Sequence, residues 1–154
     1  MFYTESGMSE SAYQAYNEQS PARLLFLCDH ASNAVPQDLD LLGLSEADFA
    51  RHIAYDIGAA ELTRALADLW VAPVLLARWS RLVVDLNRGH DDPTVVMKLS
   101  DGRVIPANRK LDREGVEDRI RRFHAPYHEA IATKIRDAAA QGIGRATALA
   151  FARE

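Results

Sequence analysis

Cysteine is nearly missing from this sequence: Cys28 is the only one in 154 residues. No internal disulfide framework can form, which suits a reducing compartment. Basic tracts are missing too. The 18 Lys and Arg stand against 22 Asp and Glu, a net of −4. Without a concentrated basic footprint, nucleic acid is not an expected partner. No apolar run approaches the ~20 residues of a membrane-spanning helix. Residues 1–20 hold Glu5, Glu10 and Glu18 but no Lys, Arg or apolar stretch, unlike a secretory signal. Internal repeats and low-complexity linkers are absent. What remains is a cytoplasmic chain of 154 residues, enough for one domain with a core and too short for two.

Within it, residues 1–20 read as a polar leader, packed at most through Tyr13 or Tyr16. The apolar run from Leu24 to Cys28 predicts a buried strand, and residues 31–40 read as a loop through which Pro36 lets no helix continue. Ser45 and Asp48 make an S-x-x-D helix start. Phe49, Ile53, Ile57, Ala60, Leu62, Ala65, Leu66 and Leu69 then recur at near-helical spacing, predicting one helix over 45–70. Gly58 inside that helix costs about 1 kcal/mol relative to alanine. Residues 72–77 and 82–84 predict two short strands, the second ending in Asp85-Leu86-Asn87-Arg88. Residues 89–109 form a long loop with a small ribbon at 94–99, and loops of that length in compact domains are usually functional. A helical pattern over 112–140 contains Pro126, which should kink or divide it.

Several groups stand where chemistry is plausible. Asp29 and His30 follow the first strand directly, at the end where open α/β sheets keep their crevices. His30 reads as a metal ligand or a general base, with Asp29 orienting its second ring nitrogen, or as an ordinary turn histidine. His52 and Asp56, four apart, would share one helix face as ligands or as a solvated pair. His124 and His128 repeat that spacing, but Ala125 and Pro126 stand where a zinc-protease helix needs a glutamate and an unbroken turn. Asn87 and Arg88 offer an amide and a planar guanidinium suited to gripping a carboxylate, with Arg81 and Arg109 available to join them. Cys28, two residues from His30, reads as a buried structural thiol before a nucleophile.

Taken in order, five stretches resemble the N-formylglutamate amidohydrolases. They are Cys28-Asp29-His30-Ala31-Ser32-Asn33-Ala34-Val35-Pro36, His52-Ile53-Ala54-Tyr55-Asp56-Ile57-Gly58-Ala59, Ser80-Arg81-Leu82-Val83-Val84-Asp85-Leu86-Asn87-Arg88, Ile105-Pro106-Ala107-Asn108-Arg109 and Pro126-Tyr127-His128. The resemblance implies a three-layer, zinc-carboxypeptidase-like (phosphorylase/hydrolase-like) α/β fold. It also implies hydrolysis of N-formyl-L-glutamate to formate and glutamate, late in histidine catabolism. By that likeness His30 is a zinc ligand, Asp56 a second ligand or site acid, and Asn87-Arg88 the pair that holds a substrate carboxylate. Asn33 stands where relatives with an H-x-x-E pattern carry their glutamate. A formamide is a poor electrophile, and a metal that polarises its carbonyl and lowers the pKa of bound water toward ~7 suits it.

The likeness is expected to end near Ala138, leaving residues 21–138 as the N-terminal part of the domain and its C-terminal half missing. Family members are longer, and their second half brings a further metal-binding histidine and a late acid. Residues 139–154 read as a helical tail in which Gly142-Ile143-Gly144-Arg145-Ala146-Thr147-Ala148 resembles the first helix of short-chain dehydrogenases, as in a truncated or rearranged frame. With Ala138 at the first glycine position and no strand before it, NAD binding is not expected. Missing strands would leave an apolar sheet edge and face open to self-association. A different function remains open as well, that of a carboxylate-binding or regulatory domain without catalysis.

Overall fold

The structure, a computed structural model, describes residues 11–140 and the backbone of a strand at Thr147–Ala150. In chain order the elements are β1 (Tyr13–Tyr16), β2 (Leu24–Cys28), α1 (Glu46–Phe49), α2 (Ala59–Leu69) and β3 (Val74–Ala77). There follow β4 (Leu99–Ser100), β5 (Arg103–Val104), α3 (Pro106–Lys110), α4 (Arg113–Arg119), α5 (Ala125–Ala140) and β6 (Thr147–Ala150). Four strands make a mixed sheet in the order β1-β3-β2-β6, while β4 and β5 pair separately as a small ribbon. β2 runs parallel to both β3 and β6, and β1 runs antiparallel to β3.

Both faces of β2 and β3 are covered. Leu25 and Leu27 of β2 join Leu75 and Ala77 of β3 on one face, packed with Phe49, Ile53, Trp79, Phe123 and Tyr127. Phe26, Cys28, Val74 and Leu76 point to the other, where Ala67 and Leu66 of α2 cover them. Strands buried on two sides read as unbroken apolar runs, which is how β2 and β3 were legible.

Elsewhere the tertiary structure overrides the local pattern. The polar leader contains β1, whose Tyr13 lies opposite Ala77 and Tyr16 opposite Val74. The expected helix over 45–70 is two helices, because the backbone between them is taken up by other segments. Asp56 N donates to His30 O at 3.0 Å, and Ala54 O accepts from Arg81 N at 3.2 Å. Gly58 makes the restart possible: it precedes α2 in the left-handed region, at φ +84°. A Cβ there would meet nothing within 4 Å, so Gly58→Ala should cost only the conformational penalty, about 1 kcal/mol. A urea midpoint unchanged from wild type would contradict that.

Residues 82–84 are buried but form no strand. Two of their carbonyls are claimed by side chains instead: Asn108 Nδ2 donates to Leu82 O at 2.7 Å and Arg119 Nη1 to Val83 O at 2.8 Å. The loop over 89–109 carries its ribbon at β4 and β5, later than 94–99, and ends in α3. Pro126 does not divide the last long helix. A π turn over Ile120–His124 joins α4 to α5. This looser turn absorbs the missing N–H and the steric demand of the proline ring. The helical tail expected over 139–154 is corrected too: α5 ends at Ala140, and Thr147–Ala150 form β6 on the edge of β2 that would otherwise be bare. Residues 141–146, which hold most of the dehydrogenase-like motif, lie outside the described residues.

Candidate active site

β2 and β3 are parallel neighbours, so the segments leaving their carboxyl ends emerge side by side and frame a crevice. Backbone hydrogen bonds stitch these segments together. Ser80 N donates to Ala34 O at 2.8 Å. Ser80 Oγ donates to Ala54 O at 2.7 Å. Stretches around residues 30, 55 and 85 thus meet although the chain separates them widely.

At their junction His30 is completely buried. Its Nε2 lies 2.7 Å from Asp85 Oδ1 and, since a carboxylate only accepts, Nε2 carries the proton. Nδ1 makes no hydrogen bond and faces Asp56 Oδ2 at 3.4 Å. Arg81 bridges the two acids, with Nη2 3.1 Å from Asp85 Oδ2 and Nη1 3.5 Å from Asp56 Oδ1. Asn87 N also donates to Asp85 Oδ1 at 3.0 Å, and Arg88 Nε stands 3.5 Å from Oδ2. Burial alone would raise the Asp85 carboxyl. The hydrogen bond from His30, the Arg81 guanidinium and the Asn87 amide outweigh it and hold the group below the usual carboxylate range.

Asp29 does not play the part expected of it. Asp29 and His30 lie in the turn just past the end of β2, and Asp29 accepts from Tyr127 Oη at 2.7 Å. Burial, then the Asp29 charge, push the Tyr127 phenol well above its ordinary value, so it remains a donor. The carboxylate that orients His30 is Asp85, 55 residues away. His52 and Asp56 are likewise separated: His52 is exposed with Nε2 3.6 Å from Asp101 Oδ2, while Asp56 turns inward to His30. Asn33 donates to Phe49 O at 2.9 Å. Burial raises the Cys28 thiol, which keeps it protonated and a poor nucleophile.

Beside the His30 cluster opens a cleft of about 760 Å³ lined by Asp29, Asn87, Arg88, His90, His124 and His128, among others. Asn87 and Arg88 are thus among the residues lining it. Arg81 belongs to the buried cluster, and Arg109 is exposed on α3, away from the lining. Sequence reasoning missed the anchoring roles of Asp85, Asn108, Arg119 and Tyr127. For Asp85 a signal existed, an acid closing an apolar run, but nothing local identifies its partner. Among the described residues, no group of three His, Cys, Asp or Glu side chains is placed to hold a metal ion.

A mixed sheet, with imidazole, carboxylates and guanidinium gathered at parallel strand ends beside an open cleft, defines an α/β domain with a ligand crevice at the carboxyl ends of its strands. The family model of N-formylglutamate amidohydrolases matches residues 22–151, and the chain belongs to that family. The match runs through β6, so the family likeness continues past the point near Ala138 where the sequence suggested it ends. A crystal structure of a gene product from Agrobacterium tumefaciens superposes with a TM-score of 0.88 at 30% identity, covering 97% of this chain. The chain spans 58% of that protein's length. A comparison with curated proteins found no match. No helix among the described residues is long and apolar enough to cross a membrane.

Proposed function

We propose that this chain carries the formamide-cleaving site of an N-formylglutamate amidohydrolase, in which water adds to the formyl carbon, the C–N bond breaks, and formate and glutamate leave. The observation that carries the reading is the His30 ring. Its Nε2 proton is committed to Asp85, and its bare Nδ1 is turned toward the Asp56 carboxylate at 3.4 Å. A lone pair facing an anion in a buried site calls for a positive charge between or on them. His30 and Asp56 would hold the zinc, with Asp85 fixing the imidazole's tautomer as carboxylates do behind metal-bound histidines. Bound there, zinc would polarise the formyl carbonyl and activate water.

The chain's own groups then divide the remaining work. Arg88 and Asn87 bind a substrate carboxylate in the cleft, while Arg81 neutralises Asp56 and Asp85 and holds them in register. The partner is thus a small dicarboxylate. Arg88→Ala should raise KM for N-formyl-L-glutamate about 30- to 100-fold and change kcat much less, as for a lost charge-assisted contact made before and during reaction. The test is formate release by the metal-analysed protein. Zinc with turnover supports the reading, and absence of both overturns it. Because the described residues offer two donors where catalytic zinc takes three protein ligands, a second reading is a domain that binds dicarboxylates without turnover. Glutamate binding with neither zinc nor formate release would establish it.

A further inference from the structure

We infer that His124 and His128 are a positioning pair that sets the turn Leu86-Asn87-Arg88 for carboxylate capture, an inference that rests on reading this turn as the substrate grip. His124 Nε2 lies 2.8 Å from Arg88 O, and His128 Nε2 lies 2.9 Å from Leu86 O. Carbonyl oxygens only accept, so both imidazoles carry their proton on Nε2. The Leu86 carbonyl lies in the peptide unit before Asn87 and the Arg88 carbonyl in the unit after Arg88, so the pair fixes the two peptide planes that bracket Asn87-Arg88 and with them the course of the turn that carries both side chains. The rings rest on each other with centroids 4.3 Å apart, and His128 also meets the edge of Tyr127 at 5.6 Å. Burial, helped by the neighbouring histidines, lowers the His124 pKa.

The π turn gives these donors a common aim. Arg119 Nη1 reaches Val83 O at 2.8 Å, and the next donor toward the same segment is His124, five residues on. In an unbroken α-helix residues five apart stand about 140° apart around the axis. One wider turn over Ile120–His124 returns them to the same side. Three donors from one helical rod therefore hold three carbonyls of residues 83–88, and two of them also line the cleft.

The test uses the full chain with His128→Phe, which keeps a ring but loses the donor, and His128→Gln, whose amide reaches the Nε2 position. L-glutamate binding is followed by calorimetry, and hydrogen exchange of the Asn87 and Arg88 amides by NMR. His128→Phe should weaken glutamate binding about tenfold, the loss of one good hydrogen bond's effect on a charged contact, and speed exchange at both amides with the thermal midpoint held. His128→Gln should restore both readouts to within about twofold of wild type. Wild-type affinity and exchange in His128→Phe, or no rescue by His128→Gln, would overturn the inference. If the wild-type protein itself fails to bind glutamate, the reading of the grip falls. The exchange data then still decide whether the pair orders the turn.

Discussion

Replacing Asp85 with asparagine should lower the unfolding free energy by about 3 kcal/mol at neutral pH, the lower end of the ~3–5 kcal/mol range for stripping one partner from a buried ion cluster. The lower end applies because Arg81 and Arg88 keep some contact with water, at 17% and 40% side-chain exposure. Asp85 is the common acceptor for the His30 ring, the Arg81 guanidinium and the Asn87 amide. An amide group offers one acceptor oxygen and adds a donor facing other donors. The effect has a signed pH dependence. The folded pKa of Asp85 lies below the ordinary carboxylate value of about 3.9. Its contribution is therefore fully present above about pH 4 and is lost as pH falls through the folded pKa. Stability curves of wild type and Asp85→Asn should be separated at pH 7 and converge below pH 4. Parallel curves across that window would show that the carboxylate charge is not what holds the cluster.

His30→Gln separates the two ring nitrogens. The glutamine amide can still donate toward Asp85, so stability should fall by only about 1 kcal/mol, the scale of an imperfectly replaced hydrogen bond. Nothing replaces the Nδ1 lone pair that faces Asp56. Zinc content should therefore drop out and formate release fall at least ~100-fold, while glutamate binding at Asn87 and Arg88 persists. Turnover retained in His30→Gln would remove His30 from the reaction. Glutamate binding lost together with turnover would indicate that the ring supports the whole crevice rather than the chemistry.

The elements most legible in the sequence were those with one dominant local cause. β2 and β3 are short apolar runs, and only burial on two faces explains such runs. Asn87 and Arg88 stood out because a polar pair closing an apolar run needs a partner, and the cleft is where the structure puts them. The helix over 45–70 misled because its apolar spacing is real, yet Asp56 N and Ala54 O are bonded to His30 and Arg81, residues no window around them contains. Residues 82–84 misled for a related reason: their apolar side chains are buried, but Asn108 and Arg119, from distant helices, take the carbonyls that a sheet partner would have taken.

By itself the sequence determined the α/β class, the position of His30 just past a strand end and, through five ordered stretches, the family. These depend on residue type, order and short-range period, which a chain carries openly. The tertiary structure alone decided which acid serves which nitrogen. Asp29, adjacent in sequence, is taken by the Tyr127 hydroxyl from a helix about a hundred residues on, and Asp85, 55 residues on, is brought to His30 by the parallel pairing of β2 with β3. Partnership inside a crevice is fixed by the register of strands and by competition for buried hydrogen bonds, and neither is a property of any local stretch of sequence.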